Sequence, residues 1–414
     1  MPTCLPVSDR EIKSEPSAGA VFDAVVLTGG FDKPYAYGLV MALAAQNIGV
    51  DVVGSDEVDC PEFHASNKIR FLNLQGNRSE EASLGAKMRR VLSYYGKLLR
   101  FSGQTRARVF HVLWNNKFQY FDRTLLMTYY KWLGKKVVLT AHNINADKRD
   151  GKDSFLNRLT LRLQYRAAHQ IFVHTEKMKS ELLEEFAVSP SAVTVIPFGI
   201  NNAVPRTELT PAQAKQKLGI AAEDQTMLFF GNIGPYKGLD FLLRAFHELV
   251  SVNPSYRLVI AGKARGGCED YVRRIERMIG SEASRNRVLA KIQYIADEDA
   301  ELYFKAADLL VLPYTEVSQS GVLFLGYSFG LPVVATEVGS FREDVLEGVT
   351  GSLCPAGDAP ALAQAIRRYF ESDLFQSLDT KRAEIREFAV RRNSWDVVGQ
   401  MTREVYGKLL GVSS

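Results

Sequence analysis

A glycine-rich turn between a strand and a helix carries the residue types in this chain that are best suited to binding phosphate. The turn runs from Gly231 to Gly238 and follows the apolar segment Met227–Phe230, and an amphipathic helix comes directly after it. Such a turn brings main-chain N–H groups to the positive end of a helix dipole, and Lys237 adds a charge within reach. We therefore predict a pocket for the oxygens of a diphosphate.

A second motif, Ser318–Val322, precedes the apolar segment Phe329–Thr336. A serine–glycine–valine turn at a helix start can direct its main-chain N–H groups at phosphate oxygens. The alternative is an ordinary helix N-cap, with Ser318 or Ser320 as the capping hydroxyl, and the two interpretations are compatible.

Apolar strand-like segments alternate with amphipathic segments along the whole chain, which predicts parallel sheets covered on both faces. The predicted strands of the first half are Val21–Leu27, Val50–Val53, Val109–Leu113, Lys136–Thr140, Ile171–His174 and Val193–Ile196. Those of the second half are Thr226–Phe230, Arg257–Ala261, Lys291–Ile295, Leu309–Pro313, Pro332–Ala335 and Gly351–Cys354. The predicted fold class is α/β, with two Rossmann-like doubly wound domains facing across a cleft that receives the ligands.

Two domains are expected because 414 residues exceed the usual size of one α/β domain. We predict a flexible leader over 1–19, a first domain over 20–203 and a second over 204–390. A final helix within 391–414 is expected to cross back onto the first domain. The polar segment Pro197–Pro211, with three prolines, is the predicted hinge.

Composition argues against several classes of protein. The chain is 46% hydrophobic and 24% charged, with a net charge of +4, as in an ordinary globular protein. No apolar run reaches the roughly 18–20 residues of a membrane span, and no signal-peptide pattern is present, so a cytoplasmic location is expected. The four scattered cysteines lack metal-ligand spacing. No glycine fingerprint for a dinucleotide is present, which disfavours nicotinamide chemistry.

From about residue 21 to about residue 410, the chain resembles the family 4 (group 1) retaining glycosyltransferases of the GT-B fold. The resemblance is most specific in Phe229–Phe246, in Leu309–Thr336 and from Val338 to Gly351. It implies transfer of a sugar from a nucleotide-diphosphate donor with retention of anomeric configuration, without a metal or another cofactor. It also implies that the first domain faces the acceptor and the second binds the nucleotide-sugar.

The resemblance assigns roles to particular residues. Gly29 and Gly30 match a glycine loop that borders the donor phosphates and the acceptor, although a plain tight turn would need glycine too. His142 matches a histidine that contacts the transferred sugar, and a purely structural histidine is the alternative. Lys237 matches the diphosphate-binding lysine. Further donor contacts are implied for Gly231, Gly262, Tyr294, Ile295, Gln319, Ser320, Gly321 and Val322.

The chain also departs from the family pattern at positions that matter for the donor. Asn232 stands where the family has a second diphosphate cation, an arginine, and Lys263 is the nearest replacement. A lost charge-assisted hydrogen bond weakens binding by about tenfold or more. Val317 and Leu325 stand where the family has two glutamates, and leucine cannot hold ribose hydroxyls. Glu316 or Gln319 lies close enough in sequence to replace the first of them.

Without an evident nucleophile, the predicted mechanism is a front-face reaction in which the leaving diphosphate takes the proton of the acceptor hydroxyl. Lys237, main-chain donors at Gly231 and Ser320–Val322, and His142 would stabilise charge and position the sugar. A covalent route would need a carboxylate beneath the sugar, and Glu316 is the candidate for it. The catalytic residues we predict are therefore His142, Lys237 and Glu316.

The segment Lys87–Arg108 has no acidic residue and predicts a basic amphipathic helix. It could attach the protein to an anionic membrane, at the inner face of the plasma membrane, beside a glycan or lipid-linked acceptor. A solvated face on a packed helix is the equal alternative. Nucleic acid is a poor fit, because the patch is short and lacks a binding motif.

The leading hypothesis is a glycosyltransferase of cell-surface polysaccharide or glycolipid synthesis. A catalytically silent partner that binds a sugar nucleotide is the alternative from another class, motivated by Asn232 and Leu325. A nucleotide-sugar epimerase of the same fold is disfavoured because the family motifs cover the second domain. The sequence does not identify the base, the sugar, the acceptor or the oligomeric state.

Overall fold

The first half of the described chain forms one parallel sheet of seven strands in the order β3-β2-β1-β4-β5-β6-β7. A computed structural model describes residues 23–30, 32–77, 83–149, 151–200, 204–281 and 286–412. The predicted leader 1–19 lies outside these residues. The strands are β1 Asp23–Leu27, β2 Gly49–Gly54, β3 Ile69–Asn73, β4 Val109–Val112, β5 Lys136–Thr140, β6 Gln170–Val173 and β7 Val193–Val195.

Helices cover this first sheet on both faces, as its apolar strands require. They are α1 Lys33–Ala45, α2 Pro61–Ala65, α3 Leu84–Gln104, α4 Gln119–Phe121, α5 Met127–Trp132, α6 Ala146–Arg149, α7 Phe155–Ala167 and α8 Glu176–Phe186. A π-helical segment, Asp122–Leu126, joins α4 to α5. Side chains of α3, α5, α7 and α8 share one core with the sheet, and those of α1 share a second core on its other face.

The second half forms a parallel sheet of six strands in the order β10-β9-β8-β11-β12-β13. Its strands are β8 Gln225–Phe230, β9 Tyr256–Ala261, β10 Val288–Lys291, β11 Leu309–Leu312, β12 Val333–Thr336 and β13 Gly351–Cys354. Its helices are α9 Pro211–Lys217, α10 Leu239–Val252, α11 Glu269–Ile279, α12 Asp297–Ala306, α13 Gly321–Ser328, α14 Phe341–Asp344, α15 Ala359–Glu371, α16 Asp373–Gln376 and α17 Leu378–Asn393.

The predicted fold class is confirmed, and the predicted strands differ from the structure at the sheet edges. Strand β3 was not predicted. The strand predicted at Lys291–Ile295 was placed too far along the chain, because β10 spans Val288–Lys291. Both are edge strands whose side chains are mostly half-buried or exposed. A strand with little buried apolar surface gives only a weak alternating pattern in the sequence.

The last helix, α18 (Trp395–Leu410), crosses back onto the first domain as predicted. It packs along α1 so closely that a Cβ on Gly399 would lie 3.0 Å from the Ala42 Cβ. The Tyr406 hydroxyl lies 2.7 Å from Nδ1 of the buried His111. This hydrogen bond and the shared core of α1 and α18 join the end of the chain to the first sheet.

Among the helices that the structure describes, none combines the length and the apolar character that crossing a bilayer requires.

Candidate active site

The glycine turn after β1 is held by its neighbour Thr28. The Thr28 Oγ1 accepts a hydrogen bond from the Gly30 N–H at 3.1 Å and donates one to the Val53 carbonyl at 3.0 Å. Gly29 and Gly30 have φ of 65° and 82°. A Cβ on Gly29 would lie 2.7 Å from the Trp114 Cβ. Glycine is required here by both the backbone conformation and a close approach after β4.

His142 follows β5 and is enclosed by aromatic rings, with only 6% of the residue exposed. Its ring stacks on Trp114 with 4.3 Å between centroids and meets Tyr35 edge-on at 4.5 Å. Its Nδ1 lies 3.1 Å from Nε2 of His174, which follows β6. No described residue makes a hydrogen bond with the His142 Nε2.

The partners of the two histidines determine their tautomers. The His174 Nδ1 lies 3.2 Å from the Ile196 carbonyl, which can only accept, so Nδ1 carries the proton. The Nε2 of neutral His174 then accepts from the His142 Nδ1–H, and the His142 Nε2 is left as an unprotonated acceptor. Burial lowers the pKa of His174 to about 4. Burial, with repulsion from His174 and His111, holds the pKa of His142 well below its ordinary value.

A cavity of about 250 Å³ lies beside His142. Trp114 and Asn115 line it after β4, and Leu161, Gln164 and Tyr165 line it from α7. The Gln164 and Asn115 side-chain amides exchange hydrogen bonds of 2.7 and 3.3 Å. An aromatic wall beside polar amides is a suitable surface for a sugar ring, while the His142 Nε2 is itself buried.

Lys237 occupies the predicted turn between β8 and α10 and is only 8% exposed. Its Nζ lies 3.7 Å from the centroid of the buried Tyr314 ring, a cation–π contact that orients the ammonium. Gly238 has φ of 64°, and a Cβ there would lie 1.9 Å from the Pro313 carbonyl oxygen. The turn is therefore packed directly against the end of β11, and its glycine is required.

Several main-chain N–H groups of this turn have partners inside the protein, which corrects one predicted role. The Gly231 N–H donates to the Ala261 carbonyl at 2.9 Å, and the Lys237 N–H donates to the Gly234 carbonyl at 2.9 Å. The Gly231 amide is thus not directed at a phosphate, because the β8–β9 pairing continues through it. The turn also brings the charge of Lys237 to this edge of the sheet.

Three predicted donor positions meet at the carboxyl edge of the second sheet. A Cβ on Gly262 would lie 1.8 Å from the Gly231 carbonyl oxygen. A Cβ on Gly231 would lie 3.2 Å from Cγ2 of Val322 at the start of α13. The absence of side chains at the two glycines is what allows β8, β9 and α13 to converge here.

Asn232 is exposed and uncharged, and two basic residues lie near this turn. Lys263 is exposed and lines a cavity of about 950 Å³ between the domains, opposite Gly29. Its Nζ lies 5.5 Å from the Tyr294 ring centroid. Arg265, which the sequence reasoning missed, is half-buried with its guanidinium carbon 5.7 Å from the ring centroid of Tyr236, which directly precedes Lys237.

Tyr294 and Ile295 lie in the loop after β10, because that strand ends at Lys291. The Tyr294 side chain is mostly exposed. Desolvation, together with Asp297, Glu298 and Glu57, raises the pKa of Tyr294. Since Glu57 belongs to the first domain, this loop lies where the two domains approach each other.

The Ser318–Val322 motif leads into α13, but its serine does not cap the helix. Ser320 is at the N-cap position without a capping hydrogen bond, and its Oγ lies 3.5 Å from the Tyr314 hydroxyl. The N–H groups of Gly321 and Val322 belong to the first helical turn, where no intrahelical acceptor exists. The Gln319 Nε2 donates to Asp344 at 3.1 Å, which holds that side chain to its own domain.

Glu316 is exposed and lies outside the cavity beside His142. It lines a separate cavity of about 340 Å³, together with Asn143 of the first domain and Glu337 of the second. Val317 and Leu325 are buried, and Leu325 lines an apolar cavity with Phe198. Within the described ranges, no group of three or more His, Cys, Asp or Glu side chains could hold a metal ion.

The sequence reasoning missed His174, Trp114, Tyr35 and Tyr314. His174 had a usable signal, because it ends a predicted strand just as His142 follows one. The others read as ordinary apolar residues, and their roles depend on contacts between distant segments.

Two family models match the chain. One, described as Glycosyltransferase Family 4, matches residues 34–204, and the other, described as Glycosyl transferases group 1, matches residues 224–372. A D-inositol 3-phosphate glycosyltransferase of Corynebacterium aurimucosum is 24% identical over 83% of this chain and 82% of its own length. The enzyme of that name from Acidothermus cellulolyticus is 28% identical over 56% of this chain and 51% of its own length.

Solved structures share the fold over nearly the whole chain. Sucrose-phosphate synthase from Thermosynechococcus elongatus superposes with a TM-score of 0.73 at 20% identity, over 94% of this chain and 100% of that one. HepE from Anabaena, in complex with UDP and glucose, gives 0.72 at 18% identity, over 93% and 99%. With one enzyme group matched in both halves and the two-sheet architecture in common, this chain belongs to the GT-B glycosyltransferases of group 1, family 4.

Proposed function

We propose that this protein transfers a sugar from a nucleotide-diphosphate donor to a hydroxyl of a glycan or lipid-linked acceptor, with retention and without a metal. The proposed setting is the cytoplasmic synthesis of a cell-surface polysaccharide or glycolipid. The observation that carries the proposal is that each sheet has a buried polar side chain at its carboxyl edge. Lys237 lies in the turn after β8 of the second sheet, and His142, whose Nε2 has no hydrogen-bond partner among the described residues, follows β5 of the first.

One ring links these two sides. Phe198, in the connection between the domains, lies 6.3 Å from His142 and 5.4 Å from Phe324 of α13, centroid to centroid. A Cβ on Gly321 would lie 3.7 Å from the same ring. Through Phe198, the His142 side of the first domain is connected to the first turn of α13, a helix start whose dipole favours an anion.

In the proposed reaction, the bond between the anomeric carbon and the diphosphate oxygen breaks, and the acceptor oxygen forms a bond to the same face of that carbon. The acceptor proton passes to the departing diphosphate. Lys237 and the first turn of α13 would stabilise the negative charge that develops there. Lys263 or Arg265 would supply the second cation in place of Asn232.

The nucleotide we propose is UDP. HepE, whose structure in complex with UDP-glucose superposes on this chain with a TM-score of 0.71, supports this choice. A phosphate-bearing acceptor would suit the cavity between the domains, which Lys87, Arg90, Lys117 and Lys263 line. This places two basic residues of the Lys87–Arg108 segment at the cleft rather than on the outer surface. The name of the corynebacterial relative likewise specifies a phosphorylated acceptor.

A panel of UDP-, GDP-, ADP- and dTDP-sugars tests the donor by thermal shift. A donor at 100 times its dissociation constant should add about 2.7 kcal/mol to the free energy of unfolding. We expect a shift with the UDP-sugars and release of free UDP in the same samples, undiminished by EDTA. Binding without UDP release would favour the silent partner, and no shift with any donor would contradict the proposal. The anomeric coupling of the product, measured by NMR, tests retention.

Replacing His142 by phenylalanine should lower kcat/KM by about three- to tenfold, since one hydrogen bond to an uncharged acceptor is lost. The ring remains, so its stacking on Trp114 should persist. The free protein should lose about 1–3 kcal/mol of stability, because the His174 Nε2 loses its donor. The UDP-induced shift should remain, since the proposed nucleotide site lies in the other domain. Unchanged kinetics would show that His142 only supports the fold.

A further inference from the structure

Helix α7 buries several polar side chains and exposes several large apolar ones. Its buried side includes Asn157, Thr160 and Gln164, whereas large apolar side chains on its outer side are exposed. These are Phe155, Leu156, Leu159 and Leu163, and Phe155 is 82% exposed. A surface helix of a globular domain normally directs its apolar residues at the core. The polar inner side has a local reason, because Leu161, Gln164 and Tyr165 line the cavity beside His142. That reason does not account for the apolar outer side.

The neighbouring segment, Asp122–Trp132, extends this exposed surface. The buried Arg123 donates to the Asn157 Oδ1 at 2.7 Å and so ties this segment to α7. Leu125 and Trp132 point outward, and Trp132 is 80% exposed. We call the six exposed apolar side chains of the two elements the α5–α7 surface: Leu125, Trp132, Phe155, Leu156, Leu159 and Leu163.

The exposed charges carried by α5 and α7 themselves are basic. No acidic residue occurs in 123–146 or in 154–175. Lys131, Arg162 and Arg166 are exposed among the apolar side chains. Arg158 is exposed too and is paired with Asp153.

We propose that the α5–α7 surface docks on an anionic lipid bilayer. An exposed tryptophan suits the boundary between headgroups and acyl chains, and leucine and phenylalanine insert below it. Arginine and lysine on the same surface are attracted to anionic headgroups. A second copy of the chain is a worse occupant, because a symmetric contact would set Lys131, Arg162 and Arg166 against their own copies.

This location differs from the Lys87–Arg108 segment, largely in α3, that the sequence offered as one of two alternatives for membrane contact. Tyr94, Tyr95, Leu98 and Phe101 of α3 are buried in the core. Among the α3 side chains that the structure describes, Met88 and Leu92 are the exposed large apolar ones. Helix α3 therefore adds charge to this side of the domain but little surface that could insert into lipid.

Docking in this orientation would place the cavity beside His142 one helix away from the lipid. The outer side of α7 would contact headgroups while its inner side lines that cavity. The acceptor would then be a lipid-linked sugar or phosphate held at the bilayer surface. This last step rests on the proposed function, whereas the docking itself does not.

Co-sedimentation of the full chain with vesicles tests the surface. We expect binding to vesicles of equal parts phosphatidylglycerol and phosphatidylcholine, weakened by added salt, and little binding to phosphatidylcholine alone. The double variant Trp132→Ser/Phe155→Ser should bind about tenfold more weakly or worse. Arg162→Gln/Arg166→Gln should lose most of the preference for the anionic vesicles. A matched control is Val252→Ser, since Val252 is 69% exposed on the second domain.

Equal binding by wild type and the Trp132→Ser/Phe155→Ser variant would overturn the proposal, as would no binding by wild type. A concentration-dependent dimer in sedimentation velocity that this variant abolishes would show that a second copy covers the surface, which would also overturn it. Donor-induced thermal shift and UDP release, measured without vesicles, should be unchanged in the variant. If those two signals are absent from wild type while vesicle binding persists, the proposed function fails and the docking surface stands.

Discussion

Replacing Lys237 by methionine is expected to weaken donor binding by about ten- to a hundredfold, which corresponds to the loss of one charge-assisted contact with the diphosphate. The side chain is buried against Tyr314, so methionine can fill the same space without the charge. The expected loss is large because Asn232 provides no second cation in this turn. Titration calorimetry with UDP, compared with uridine, measures it directly.

Uridine provides the internal control, because it lacks the diphosphate. Lys237→Met should leave uridine binding and the thermal midpoint of the free protein close to those of wild type. Equal affinity of the variant and wild type for UDP would contradict the assignment. Lys263→Ala and Arg265→Ala, measured in the same way, identify which of these residues supplies the second cation.

Replacing Trp395 by alanine should lower the free energy of unfolding by about 3–5 kcal/mol, as loss of a buried tryptophan does. Its ring fills space that two glycines leave open, since a Cβ on Gly38 or Gly199 would lie 1.9 or 2.4 Å from it. Its Nε1 donates to the Ile200 carbonyl at 2.8 Å. Denaturant unfolding, followed through the transition that includes the first domain, measures the loss.

Trp395→Phe separates packing from hydrogen bonding, because it keeps an aromatic ring and removes the Nε1–H. We expect it to cost about 1–3 kcal/mol, for the unpaired Ile200 carbonyl and the smaller ring. If the alanine variant were as stable as wild type, α18 would not hold the first domain as the contacts indicate.

The fold could be predicted from the sequence wherever strands are buried on both faces. Leu309–Leu312 is entirely apolar and Val109–Val112 is apolar except for His111, as expected of central strands in a parallel sheet. The edge strands β3 and β10 bury less, so their limits depend on partners in the sheet that a linear pattern does not show. Helix α17 was missed for a related reason, because its buried residues include Arg382 and Asn393 as well as Ile385.

In the candidate site, likewise, some residues could be placed from the sequence and others depend on contacts that form only on folding. Lys237, Gly262 and His142 follow predicted strands, and the end of a parallel strand is where a ligand binds, so sequence reasoning could place them. The orientation of His142 depends on His174 and Trp114, which are close only after folding. The Gly231 amide was misassigned because its acceptor, the Ala261 carbonyl, lies on another strand.

The chain passes between the two domains twice, and the two passages are bound to each other. The Ile200 N–H donates to the Asn393 carbonyl at 2.8 Å, and the Asn393 Nδ2 donates to the Phe198 carbonyl at 2.8 Å. These connections allow the cleft between the domains to close, which would lower the radius of gyration measured by small-angle scattering when UDP binds. Two hydrogen-bonded connections between the domains form one hinge. The motion that breaks the fewest contacts is therefore a rotation of the domains about this hinge. Such a rotation brings His142 towards or away from Lys237 without sliding one past the other.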